Sequence, residues 1–219
     1  MEPLNSPSSE PRRVAHRFHR RQAGVLTMAL GINNASQVVG VGITSNGFQY
    51  QAFIGTVSGS DPIPLLPGWT DSDARTINNS GEVAGDGNNG SADQAFVWTA
   101  AGTTMIPMLS GASDCYASFQ GKAINNSGVV VGDCDTGPWI WDSVNGTQSL
   151  NSFLPSGWTI DTVYGINDPG QIFAEASFSG GPDQYVLLTP QSTPAPEPGT
   201  FGMLAAGLAF AVKLRRSTL

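Results

Sequence analysis

The chain has 219 residues, 40% hydrophobic and only 12% charged, with 27 glycines, 15 prolines and a net charge of −7. Low charge and frequent turn formers, without a long run of Ala, Glu, Lys and Leu, argue against a helical bundle and for short strands joined by tight turns. The acidity sits in residues 25–190, where Arg75 and Lys122 face fourteen acids; such a module is repelled by a phosphate backbone, so nucleic acid is not expected as a partner.

Residues 1–24 carry Arg12, Arg13, Arg17, Arg20 and Arg21 against Glu2 and Glu10, and have no apolar core. They read as a disordered basic segment. His16 and His19 both fall here, remote in sequence from Cys115 and Cys134, so no metal site is expected. An exported protein needs an apolar signal core. The segment AGVLTMALG, 23–31, is only a faint one and runs straight into the first repeat. The true start is therefore expected upstream of Met1, or the gene is a fragment.

Residues 25–190 repeat. LGINNASQVVGVG (30–42), ARTINNSGEVAGDG (74–87), GKAINNSGVVVGDC (121–134) and VYGINDPGQIFAEA (163–176) align on Ile32, Ile77, Ile124 and Ile166, with steps of 45, 47 and 42 residues. Each unit reads as two strands around an Asx-rich turn, because Asn and Gly reach positive φ cheaply and Asx side chains cap turn backbone. A third strand with an aromatic motif follows: QAFIG (51–55), QAFVW (94–98), PWIW (138–141) and QYVLL (184–188). A fourth apolar strand is expected at 63–66, 105–109 and 149–154. The last unit lacks one, and the segment at 25–30 is expected to complete it. Four strands in 42 to 47 residues is the size of a propeller blade, with Phe96, Trp98, Trp139 and Trp141 expected to pack against the next blade. The fold class is all-β: a β-propeller-like array of about four four-stranded repeats. One repeat cannot bury its own faces, so the array closes or stacks as an open solenoid.

The Gly-Ile-Asn segments, the Val-Val-Gly strands and the Gln-Ala-Phe motifs at 51–53 and 94–96 resemble the HAF extracellular repeat family, with Gln51 and Gln94 where that family has His. The resemblance covers roughly residues 25–190 and implies architecture more than activity.

The tail has three parts. Residues 191–198 form a Pro-rich linker; residues 199–212 are uncharged and mostly apolar; Lys213, Arg215 and Arg216 follow. The apolar run is shorter than the ~20 residues of a typical span, but it has no polar face for water and ends in a basic cluster of positive-inside type. Residues 199–219 are therefore expected to form a single apolar membrane-anchor helix. Pro196-Glu197-Pro198, the apolar stretch and the basic cluster together resemble the PEP-CTERM sorting signal. That resemblance implies export alongside exopolysaccharide systems and processing by an exosortase, for which Pro196, Glu197 and Pro198 would be recognition residues, not catalytic ones.

Chemistry is sparse. No phosphate loop, zinc-type spacing or nucleophile elbow occurs, and no cofactor is expected. Residues 71–82 have acids at EF-hand spacing, but Arg75 and Thr76 occupy positions that need a ligand and a glycine. Asp86, Asp133 and Asp135 recur after the Val-Val-Gly strand. On a closed propeller such positions can converge as an acid pair for sugar chemistry; the plainer reading is loop carboxylates that cap turns. Cys115 and Cys134 either pair in an exported protein or sit as two small core residues. The expected function is an exported, non-enzymatic surface or matrix module, anchored at the inner membrane before processing and associated with extracellular polysaccharide. The competing expectation is a polysaccharide hydrolase or lyase.

Overall fold

The computed structural model describes residues 27–43, 49–118, 120–190 and 210–213. Each repeat becomes one antiparallel sheet of four strands in chain order. The first sheet contains β1 (Thr27–Ile32), β2 (Val38–Ile43), β3 (Tyr50–Thr56) and β4 (Gly59–Pro62). The second contains β5 (Asp71–Ile77), β6 (Val83–Asn88), β7 (Asp93–Thr99) and β8 (Gly102–Met105). The third contains β9 (Cys115–Ala117), β10 (Val130–Cys134), β11 (Gly137–Asp142) and β12 (Gly146–Ser149). The fourth contains β13 (Trp158–Ile166), β14 (Ile172–Phe178), β15 (Gln184–Pro190) and β16 (Phe210–Lys213).

The Asx turn that opens each unit organises itself locally. The Asn33 side-chain oxygen accepts the N–H groups of Ala35 and Gln37, both at 3.0 Å, and Asn78 and Asn125 do the same in their units. Gly81, Gly128 and Gly170 close their turns at φ of 83°, 76° and 81°. Ser36 holds the equivalent place at φ 59°, where a β-carbon is disfavoured. The glycine of the returning strand has a different role. A β-carbon on Gly40, Gly85 or Gly132 would overlap the carbonyl oxygen of Met28, Asp73 or Tyr116 on the neighbouring strand.

Successive turns are tied into a ladder. The Asn33 carboxamide donates to Asn78 O (3.0 Å), Asn78 to Asn125 O (2.9 Å) and Asn125 to Asn167 O (3.3 Å). Beside it, the backbone N–H of Asn34 donates to Asn79 Oδ1, that of Asn79 to Asn126 Oδ1, and that of Asn126 to Asp168 Oδ1. These bonds run one way, each unit donating to the unit after it.

Apolar side chains fill three slabs, one between each consecutive pair of sheets. The sheets stack in chain order, and no closed propeller forms among the described residues. The aromatic strands point the opposite way from the expectation. Phe96 packs with Val39 and Ala52 of the first sheet, and Trp139 with Ala84 and Ala95 of the second. The large rings thus pack on the preceding sheet, and aliphatic side chains such as Ala84, Ala95 and Val97 of the second sheet or Val131 and Ile140 of the third face the following one.

Three further expectations are corrected. The fourth strands are β4, β8 and β12, a few residues earlier than the apolar runs. Ile63 and Ile106 lie just past their strands and drop into the core, and residues 150–153 form a 3-10 turn. The segment at 25–30 does not complete the last unit: β1 pairs with β2 and opens the first sheet. The last sheet is completed by β16, whose Phe210–Lys213 pairs antiparallel with β15. Those four residues are strand where an anchor helix was expected. No helix among the described residues is long and apolar enough to cross a membrane. The basic segment 1–24, the linker 191–198 and the rest of 199–219 lie outside the described residues.

Candidate functional site

A cleft of about 380 Å³ opens beside the second sheet, lined by Tyr50, Asp73, Arg75, Asp86, Asp93 and Tyr116 among others. The strand pattern explains its chemistry. A bulge in β5 between Ala74 and Thr76 adds Arg75 to the strand. The Arg75 guanidinium bonds Asp86 through Nε and lies 3.3 Å from Asp73. Asp86 is buried, and its other carboxylate oxygen accepts the N–H of Ala117 on β9.

Burial pushes Asp86 up to about 7, against the opposing pull of Arg75. Burial also raises Asp73, again opposed by Arg75. Arg75 itself loses hydration, but the carboxylates of Asp86 and Asp73 outweigh that loss and hold its proton more tightly. Burial raises the Tyr116 hydroxyl, with Asp133 and Asp86 adding to the effect. The arrangement neutralises the one guanidinium of the cleft internally. It leaves Asp71 and Asp93 on the lining, so the opening is acidic. Chemically, Asp86 is a carboxyl that can exchange a proton near neutral pH, but both of its oxygens are already bonded.

The other candidate carboxylates go elsewhere. Asp133 sits opposite Tyr116 in the β9–β10 register and accepts the N–H of Val163 on β13 at 3.1 Å. Burial lifts it to about 6, the Val163 N–H opposing. Asp135 caps a loop by accepting both the N–H and the hydroxyl of Ser113, which lowers its pKa. Asp86 and Asp133 thus share one duty at successive interfaces: each accepts a backbone N–H from the first strand of the next sheet. Cys115 and Cys134 are register partners on β9 and β10 and form a disulfide. Trp69 and Trp158, equivalent in sequence, pack on Phe96 and Phe178. Among the described residues no group of three or more His, Cys, Asp or Glu side chains is placed to hold a metal ion.

Arg75 and the Asn ladder escaped the sequence reading. The recurring Ile-Asn pair was visible, but it signals a turn whether or not its carboxamide reaches another unit. Of the sorting residues, Pro196, Glu197, Pro198, Arg215 and Arg216 lie outside the described residues, while Lys213 ends β16 opposite Leu187. No curated protein matches the chain. Residues 194–217 match the PEP-CTERM protein-sorting motif, which supports an exported protein directed to the cell surface with exosortase as its processing partner.

Proposed function

We propose that the protein is a non-enzymatic module of the cell surface or extracellular matrix, built from HAF-type repeats, released from its tail by an exosortase and associated with exopolysaccharide. The matched tail carries this reading. It is supported by the duties of the buried carboxylates, which bond Arg75 and backbone N–H groups that hold sheets together. Before processing, the apolar stretch 199–212 and its basic flank hold the chain at the inner membrane. Residues 210–213 belong both to that tail and to the fourth sheet. A segment paired with β15 cannot simultaneously cross a bilayer, so anchoring requires β16 to leave the sheet.

The test is an intact mass of the protein from envelope and medium fractions of its host. A species ending near Pro198 outside the inner membrane supports the reading. A full-length species confined to the cytoplasm overturns it. Titration calorimetry with the host's exopolysaccharide tests the ligand, and the absence of heat would remove it. One observation favours a second reading, a polysaccharide hydrolase or lyase: Asp86 is a carboxyl near pKa 7 in a cleft. Chain shortening of that polysaccharide by the protein, abolished in Asp86→Asn, would establish it.

A further inference from the structure

The three internal interfaces are built from the same repeat positions, and the two ends of the array carry the unused halves. At the leading end, Ile77, Ile124 and Ile166 are 5%, 0% and 4% exposed because each packs on the sheet before it. Ile32, in the same position on β1, is 68% exposed. At the trailing end, Val39, Ala84 and Val131 are all 0% exposed beneath the following sheet, whereas Phe173 in their place is 45% exposed. Tyr185 stands where Ala52 and Ala95 are fully buried, yet is 64% exposed.

The polar half is equally unfinished. In the described residues Asn167, unlike Asn33, Asn78 and Asn125, has no following unit, and its carboxamide keeps the local bond to Gln171 that Asn33 and Asn78 also make to Gln37 and Glu82. Asn33 O accepts the turn bond from Ser36, as Asn78 O accepts one from Gly81. The second lone pair, which takes the preceding unit's carboxamide at Asn78, meets no donor among the described residues at Asn33. Glu175 occupies the position of Asp86 and Asp133 and accepts from the Tyr164 hydroxyl instead of from a next sheet. Terminal units of repeat arrays ordinarily show water a polar outer face. The leading end shows water Ile32 and the trailing end Phe173, Tyr185 and Leu187, which marks them as contact surfaces.

We propose that these ends bind each other: the leading face of one copy of this chain docks on the trailing face of a second copy. The occupant follows from continuity with the internal interfaces. Asn167 would donate to Asn33 O of the next copy, and Ile32 would enter between Phe173 and Leu187 as Ile166 enters between Val131 and Ile140. The contact is head to tail, so it closes a ring or grows a filament according to the rotation per copy. The proposal stands apart from the sorting and ligand readings and needs neither.

The test uses the full chain in mild detergent, which keeps the apolar tail from associating, and reads mass by sedimentation. The wild type is expected at twice the monomer mass or more. Ile32→Glu and Tyr185→Glu alter exposed side chains and should keep the wild-type far-UV spectrum. Each alone is expected to be monomeric, and an equimolar mixture is expected to give dimers and nothing larger, because one intact face remains on each variant. A monomeric wild type overturns the proposal and would place another segment or another protein on these faces. So does an unaffected Tyr185→Glu beside a monomeric Ile32→Glu, which would mean a symmetric leading-face dimer.

Discussion

The second–third and third–fourth interfaces solve one problem in two ways. Each buries a carboxylate from the strand after the Asx turn and uses it to hold a backbone N–H of the next sheet. Asp86 does so with Arg75 bonded to it; Asp133 does so facing Tyr116, with its pKa governed by burial and one N–H. The first solution satisfies a deeply buried charge at the risk of stranding it if the cation goes. The second leaves the carboxyl less buried and without a cation, and protonation relieves both, Asp86 near 7 and Asp133 near 6. A repeat position thus conserves a geometric duty while its electrostatics are set by whichever neighbours the bulged strand supplies.

Removing the cation separates the two interfaces most. Arg75→Met should cost about 3–4 kcal/mol at pH 10, because it leaves Asp86 buried without its partner, and only about 1 kcal/mol at pH 8, where Asp86, already near 7, takes up a proton instead. Combining it with Asp86→Asn should recover much of that loss. Urea denaturation of the four-member cycle measures both, and a loss below ~1 kcal/mol in the single variant at pH 10 would mean that water already solvates Asp86.

The third sheet has a second support that the others lack. Its first strand is only three residues, Cys115–Ala117, against nine in β13, and the Cys115–Cys134 bond ties it to β10 across a separation of 19 residues. Replacing both cysteines by alanine should cost about 3 kcal/mol on the loop-closure model. A thermal melt of this variant should show no change when reductant is added, whereas reductant should lower the wild-type midpoint.

The smallest expected effect is a gain. Asp133 has a folded-state pKa of about 6, above its ordinary value of 3.8. The native state therefore keeps this proton while the unfolded chain releases it, and stability from this group falls as pH rises from about 4 to about 6. Asp133→Asn keeps an oxygen for the Val163 N–H and removes the charge. It should stabilise by about 1–2 kcal/mol above pH 6 and by nothing near pH 3, allowing for partial hydration. An unchanged difference between variant and wild type across that range would show that Asp133 ionises freely.

Much of the fold was legible because its signals are local. An Asn whose side chain caps its own turn, followed by Gly at positive φ, needs no tertiary partner, so the positions of Asn33, Asn78 and Asn125 announced hairpins at the right spacing. The fourth strands were misplaced for the converse reason. Ile63 and Ile106 are apolar because they reach the core, not because they extend the strand, and composition does not separate the two. The cleft was half visible: Asp86 stood out by recurrence, whereas Arg75 acquires its role only through a bulge and a partner on another strand.

By itself, then, the sequence determined the all-β class, the four units, their Asx turns and the tail that matches a sorting motif, each encoded within a few consecutive residues. Tertiary contacts set which sheet each aromatic packs on, which carboxylate meets a cation, that the described sheets stack in chain order, and that Phe210–Lys213 pairs with β15. Those outcomes depend on contacts between residues tens of positions apart, where the energy lies in the shape and charge of two surfaces together and neither segment carries it alone.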